Sequence, residues 1–353
     1  MNIVLSGILL IVFAATTVYG QPARQKIDVT TLGPQVGDRI ADFRLQDQNG
    51  KQWTRDSLMG PKGLMLVFSR SADWCPYCKT QLIELQARVP ELEKKGLGLA
   101  AMTYDSPAIL ADFSRRRSIT YPLLSDGGSA TIKAFGVFNT TVDPGSTNYG
   151  IPFPGTILVN RQGVVTARFF EEAYQERNSV ASILLKLGDP GRQIDAQRIT
   201  TDHAEITTYV SDQVVSPGTL FSIVVDVTPR PGMHLYAPGQ HSYKVIALRL
   251  DAQPLLLARP LRYPASEIYV FKPLNERVEV FRKPFRLVQD VALSASSDAR
   301  KALASSKTLS ITGTLEYQAC DDKVCFISKS VPLTYTVSVR PLDSERANVI
   351  KPQ

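Results

Sequence analysis

A mixed α/β domain with a central sheet covered by helices, followed by an all-β sandwich, is the fold class that the sequence predicts. At 353 residues the chain exceeds what one ordinary core serves. As far as Leu187, short apolar runs alternate with segments of helical period, the pattern of a sheet with helices on its faces. Beyond Gly188 the period becomes two, the pattern of antiparallel strands with one buried face. Between the two regimes, Gly188-Asp189-Pro190-Gly191 is a stop-and-turn cluster. The expected organisation is a signal peptide at 1–20, a first domain at 34–188, a linker at 189–200, a second domain at 201–340 and a loose polar tail at 341–353.

Met1 to Gly20 contains no charged side chain, and Ile8 to Ala15 is continuously apolar, which is the pattern of a secretory signal peptide. Its first residues lack Lys or Arg, so an uncleaved anchor is the alternative. The expected location is periplasmic or otherwise extracytoplasmic. Gln21 to Pro34 reads as an exposed lead-in, and Asp47 to Lys51 as a hairpin turn. Leu64 to Phe68 is a buried strand, and Cys75 to Lys95 a helix with Cys78, Leu82, Leu85, Val89 and Leu92 on one face. Pro90 removes one backbone bond there and should kink the helix. Strands follow at Leu97 to Thr103 and Tyr121 to Leu124, and helices at Pro107 to Arg117 and Ser129 to Phe135. A loop covers Asn139 to Asn148, a hairpin joins Gly155–Asn160 to Val164–Phe170, and a last helix spans Glu176 to Leu187. In the second domain Phe221, Ile223, Val225 and Val227 share one face of a strand. Leu309 to Tyr317 and Val331 to Val339 alternate in the same way.

Composition narrows the function. The chain is 44% hydrophobic and 21% charged, proportions of a globular protein rather than a disordered one. The net charge of +7 is spread along the chain, and Arg115-Arg116-Arg117 reads as a solvated helix face. Nucleic acid is a poor partner because no aromatic residues interleave the basic ones. His203, His234 and His241 form no ligand spacing, and no further ligands support a zinc site joining the four cysteines, so neither metal nor cofactor is expected.

The chemistry concentrates at Asp73-Trp74-Cys75-Pro76-Tyr77-Cys78, where the apolar strand gives way to the helix. A helix N-terminus leaves its first N–H groups unpaired and carries partial positive charge, so it favours an anion. A Cys75 thiolate would be that anion, its pKa lowered from ~8.5 toward the ~3.5–7.5 of such motifs. Cys78, one turn on, can close a disulfide with it, which gives thiol–disulfide exchange with Cys75 attacking and Cys78 resolving. Cys320 and Cys325 form a second close pair. Short loops gain little from a structural bridge, so both pairs look redox-active rather than stapling.

The strand, Trp-Cys-x-x-Cys and long helix resemble the thioredoxin superfamily, and the flanks resemble its redoxin branch, the AhpC/TSA proteins. Val36-Gly37-Asp38-Arg39-Ile40-Ala41-Asp42-Phe43 resembles the branch's opening, and Tyr121-Pro122-Leu123-Leu124-Ser125-Asp126 its central strand. Pro154-Gly155-Thr156-Ile157-Leu158-Val159-Asn160 resembles its cis-proline strand, and the match runs from about Gly37 to Leu187. The resemblance implies a thioredoxin-like fold, a cis Pro154 that positions the substrate strand, and Trp74 as a platform beside the disulfide. Two departures matter. Where thioredoxins carry a buried Asp six residues before the first Cys, this chain has Ser69, with Asp73 as the candidate substitute. Where AhpC/TSA peroxidases hold peroxide with Pro and Thr, it has Phe68 and Ala72.

In the second domain, Tyr317-Gln318-Ala319-Cys320 leading to Cys325, with Gly232-Met233-His234-Leu235-Tyr236, resembles the N-terminal domain of the thiol–disulfide interchange protein DsbD. Coverage is about Ile206 to Val339. That resemblance implies an immunoglobulin-like sandwich, a relay role for Cys320 and Cys325, and a cap loop at Phe271 to Arg277 with Phe271 or Leu274 as its side chain. Asp321 and Asp322 would disfavour a Cys320 thiolate and Lys323 would favour it. Together these features point to an exported thiol–disulfide oxidoreductase acting on protein disulfides and dithiols, with a membrane thiol reductase as the implied electron donor. A peroxiredoxin-like antioxidant peroxidase and a non-catalytic docking module are the alternatives.

Overall fold

The computed structural model describes residues 27–271 and 276–348; the expected signal peptide lies outside them, as does most of the expected cap loop, including Leu274 and the side chain of Phe271. The first body comprises β1 (Arg44–Gln46), β2 (Gln52–Thr54), β3 (Gly63–Phe68), α1 (Pro76–Lys94), β4 (Leu97–Thr103), α2 (Pro107–Arg117), β5 (Leu123–Ser125), α3 (Ala130–Ala134), β6 (Gly155–Val159), β7 (Val165–Phe170), β8 (Arg177–Asn178) and α4 (Val180–Lys186). Its sheet has the order β2-β1-β5-β4-β3-β6-β7. Strands β3, β4 and β5 run parallel, and β6 and β7 are antiparallel to their neighbours. This is a thioredoxin-like arrangement.

Every residue of β3 is buried, because the strand is central and both faces are covered. Met65 and Val67 pack with Leu82, Leu85 and Leu92 of α1 and with Leu110 and Phe113 of α2. Leu64, Leu66 and Phe68 point the other way, onto Ile132 and Phe135. The period-two geometry of a strand thus divides one apolar run between two cores. Helix α1 runs through Pro90 without interruption.

The expected helix from Glu176 is shorter in the structure. Arg177 and Asn178 form β8 instead, parallel to Thr219 and Leu220, and Ser179 caps α4 by accepting from the Ser182 N–H at 3.0 Å. Backbone pairing with the second body outcompetes the local helical pattern.

That body contains β9 (Gln197–Thr200), β10 (Ala204–Val210), β11 (Val214–Val215), β12 (Thr219–Pro229), β13 (His234–Tyr236), β14 (Ala247–Leu250), β15 (Leu256–Arg262), β16 (Glu267–Phe271), β17 (Glu276–Phe281), β18 (Phe285–Leu293), α5 (Ser297–Ala304), β19 (Thr308–Tyr317), β20 (Ala319–Cys320) and β21 (Lys329–Val339). They form the sheets β15-β18-β12-β10-β9, β11-β21-β19-β14 and β16-β17-β13-β20. Phe221, Ile223, Val225 and Val227 of β12 share a core with Ile311 and Leu315 of β19 and with Leu333 and Val337 of β21. The alternation read from the sequence is therefore the inward face of these strands. Gly313 sits where a Cβ would lie 2.6 Å from the Arg249 carbonyl, so the approach of β14 requires glycine. Helix α5 has no counterpart in the sequence reading; Ala299 and Leu303, four residues apart, bury its inner face.

The two bodies are joined by more than β8. Asp212 accepts from Arg88 at 2.8 Å, and Lys186 lies 3.1 Å from Asp290. The tail departs from its expected looseness as far as the structure describes it. Asp343 pairs with Arg117 at 2.6 Å, its N–H donates to Thr80 Oγ1 at 3.0 Å, and Arg346 grips Asp73 with two bonds of 2.9 and 2.7 Å. The tail is polar because its charges complement those on α1 and α2. For the same reason Arg115-Arg116-Arg117 is only partly a solvated face: Arg115 pairs with Asp112 yet stays exposed, whereas Arg116, on the same Asp112, and Arg117, on the tail, are half-buried.

Candidate active site

Cys75 is the N-cap of α1, with extended backbone, and its Sγ accepts the Cys78 N–H at 3.3 Å. Pro76 fills the first helical position, where a missing N–H costs nothing. Cys75 and Cys78 are disulfide-bonded with Cα atoms 5.3 Å apart. The loop before them hangs from Asp105 at the end of β4. Its carboxylate accepts from the Ala72 N–H at 2.6 Å, Ser71 Oγ at 2.9 Å and Thr103 Oγ1 at 2.8 Å. Burial outweighs those bonds and pushes the Asp105 carboxyl up to about 6.

Trp74 packs beside both cysteines, donates from Nε1 to Tyr104 Oη at 2.9 Å, and carries the Arg70 guanidinium 4.9 Å over its ring. Pro154 is buried directly before β6, whose Gly155 pairs with Phe68 at the end of β3 that leads to the cysteines. The Phe153–Pro154 bond is trans, which corrects the cis geometry implied by the resemblance. Pro152 bridges Phe138 and the Phe153 N–H donates to the Val137 carbonyl at 2.7 Å, so the chain is already extended as it enters β6. Asp73 is not free to serve the cysteines: Arg346 and the Ala347 N–H occupy its carboxylate. Ser69 is fully buried, and its Oγ has no hydrogen-bond partner.

The site is closed. Cys75 is 1% exposed and Cys78 0%. Leu342 of the tail and Ala295, between β18 and α5, pack against the cluster formed by Cys75, Tyr77 and Cys78, and Tyr77 Oη donates to the Ala295 carbonyl at 3.3 Å. Arg177 was missed by sequence reasoning; its Nη2 reaches Cys78 Sγ at 3.5 Å from the second body's side of the site. Only the β8–β12 pairing brings it there, so no local pattern announces it.

The second pair lies between β19 and β21, where Cys320 of β20 and Cys325 bridge with Cα atoms 4.1 Å apart. Tyr236 Oη lies 3.0 Å from Cys320 Sγ and 3.4 Å from Cys325 Sγ, and its ring stacks on Tyr243 at 4.2 Å. These groups, with His234, Tyr269 and Glu276, line a cavity of about 110 Å³. Burial holds the Tyr236 phenol up and the His234 imidazole down. The sequence reading named Tyr236 and His234 only as part of a resembling strand and gave neither a role at the second pair, because β13 reaches Cys320 only through sheet pairing. Asp321 accepts from the N–H groups of Lys323 and Val324, and Asp322 from Tyr269 Oη, so neither acid faces Cys320 unpartnered. The side chains packed on the first pair include none of those packed on the second. Among the described residues no cluster of His, Cys, Asp and Glu could hold a metal ion.

Residues 36–168 match the AhpC/TSA family. Alkyl hydroperoxide reductase E of Mycobacterium tuberculosis is 33% identical over 138 residues, covering 38% of this chain and 84% of the relative. Thiol-disulfide oxidoreductase ResA of Geobacillus thermodenitrificans is 27% identical over 161 residues, covering 45% and 80%. Among solved structures, a thiol peroxidase from Chromobacterium violaceum aligns at 25% identity and a TM-score of 0.38, covering 45% of this chain and 90% of that one.

Two outcomes follow from the site's packing. Deleting residues 341–353 removes Leu342 and the Arg346–Asp73 bonds, so the reduced cysteines should alkylate with iodoacetamide severalfold faster; an unchanged rate would contradict the closure described. Asp105 holds its proton to higher pH than an unfolded carboxyl with its ordinary value of 3.8. The stability tied to it is therefore complete below about pH 4 and is lost as pH rises through about 6. Urea denaturation should show the stability of the wild type relative to Asp105→Asn falling by on the order of 3 kcal/mol between about pH 4 and 7; a difference independent of pH would contradict it.

Proposed function

The chain belongs to the AhpC/TSA family, and from that premise we propose that it is an exported thiol–disulfide oxidoreductase whose working pair is Cys75 and Cys78. The observation that carries this reading is Cys75 at the N-cap of α1, its sulfur already receiving a backbone N–H. That hydrogen bond and the helix dipole favour the thiolate, the nucleophile of exchange. The Cys75 thiolate attacks a substrate disulfide, one substrate thiolate leaves, and a mixed disulfide remains. Cys78 then attacks the Cys75 sulfur, the second substrate thiolate leaves, and two electrons have passed to the substrate. Trp74, packed against this centre, and Pro154, at the entry to β6, are the residues this reading assigns to positioning the incoming strand.

The second body, read as a DsbD N-terminal-like immunoglobulin sandwich, supplies Cys320 and Cys325 as a further redox couple. The two pairs share no packing neighbours, which favours exchange of the second pair with a separate protein, such as a membrane thiol reductase, over direct relay within this closed arrangement. Exposed Val324 and Ile327 beside Cys325 give that partner an apolar rim.

Peroxidase chemistry is the second reading, favoured by the reductase E relative. Phe68 and Ala72 are fully buried and apolar at the positions where a peroxide would need polar contacts, which weighs against it.

Cys75→Ser should abolish reduction of insulin disulfides while leaving the fold intact. Retained insulin reduction would refute the assignment, and rapid thiol-dependent consumption of hydrogen peroxide by the wild type would favour the peroxidase.

A further inference from the structure

We propose that Arg177 is a catalytic residue of the Cys75/Cys78 centre, its guanidinium serving as the counter-charge that holds Cys78 as a thiolate when the disulfide opens. This rests on the reading of that pair as redox-active. Arg177 lies on β8, fixed between the bodies by its own N–H, which donates to the Gly218 carbonyl at 2.8 Å. The residue is 6% exposed. Nη1 donates to the carbonyls of Tyr174 and Glu176, Nη2 to Cys78 Sγ at 3.5 Å, and Nε has no hydrogen-bond partner. Among the described residues no carboxylate lies within ion-pair distance of it.

The charged and titratable groups around it do not supply the missing anion. Arg70 adds positive charge, Glu171 is engaged by Asn178 Nδ2 at 2.6 Å, burial holds the Tyr77 phenol up, and the remaining group facing it is the Tyr174 hydroxyl rather than a carboxylate. Burial pulls the guanidinium down to about 9, which leaves it protonated at neutral pH.

A buried cation without an anion is expensive, and a disulfide sulfur, a weak acceptor, offsets little of that cost. A thiolate in the same place completes an ion pair. The pocket is thus more complementary to the reduced centre than to the oxidised one. Neither of the two positions expected to take the Cys78 proton can do so, since Ser69 is a hydroxyl and Asp73 is bound to Arg346. Charge replaces it: the Cys78 thiolate forms its bond to the Cys75 sulfur, the bond from Cys75 to the substrate breaks, and the substrate sulfur leaves with the electron pair. Arg177 loses its anion at that step, which makes the pair a weaker reductant than it would be without the arginine.

The test uses the full chain carrying Cys75→Ser, with the Cys320–Cys325 disulfide left closed, and follows thiolate absorbance of Cys78 against pH. Arg177→Gln should raise the Cys78 pKa by about one unit, and Arg177→Lys, which keeps the charge, should recover most of the difference. With both cysteines present, Arg177→Gln should shift the equilibrium with glutathione about tenfold toward the disulfide, ~30 mV. In the unsubstituted protein the Arg177 guanidinium ¹⁵N resonance should move on reduction and track the Cys78 titration, a readout that needs no variant to fold. An unaltered Cys78 titration in Arg177→Gln, a Lys variant as displaced as the Gln one, or a guanidinium resonance indifferent to redox state would overturn the proposal. None of these measurements uses a substrate, so they stand or fall separately from insulin reduction.

Discussion

The hydrogen bond from the Cys78 N–H to Cys75 Sγ is the interaction on which the rest of the site depends. It exists because a fully buried strand ends at Phe68 and a helix begins at Pro76, leaving a short loop to deliver Cys75 to the helix N-terminus. Asp105 fixes that loop from the neighbouring strand, and α1 is fixed in turn by Leu82, Leu85 and Leu92 on the sheet. A sulfur anywhere else along the helix would lose both the free N–H and the dipole.

Around this centre the protein places charge unevenly. Asp73, the nearest acid in sequence, is neutralised by Arg346, while Arg177 approaches Cys78 without a carboxylate of its own. The charged group that reaches Cys78 Sγ is therefore a cation. Packing closes the same site: Leu342 and Ala295 lie against the cluster of Cys75, Tyr77 and Cys78, so a protein substrate of the proposed exchange would meet the buried cysteines only after the tail or the second body yields. Chemistry and access are coupled through one interface.

Much of the first body was legible in the sequence because its signals are local. The continuous apolar run of β3, the helical face of α1 and the proline after Cys75 each occupy a few adjacent residues, and the structure bears them out. The buried faces of β12, β19 and β21 were legible for the same reason. What escaped depends on contacts between distant segments. Arg177 and Asn178 sit in a helical pattern yet pair with β12, and the tail, polar enough to look loose, finds its counter-charges on α1 and α2. Tyr236 and His234 reach Cys320 across a sheet that no short-range pattern discloses. The family resemblance placed Pro154 at the entry to the strand that pairs with β3, as the structure has it, but implied the wrong peptide isomer there.

The most direct measurement is a titration of the intact protein in glutathione buffers, with the redox state of each cysteine read by differential alkylation and mass spectrometry. Cys75 and Cys78 should open and close together at a potential within the range of exchange proteins, between about −120 and −270 mV. A bridge that stayed closed below about −300 mV, where structural disulfides lie, would contradict the account.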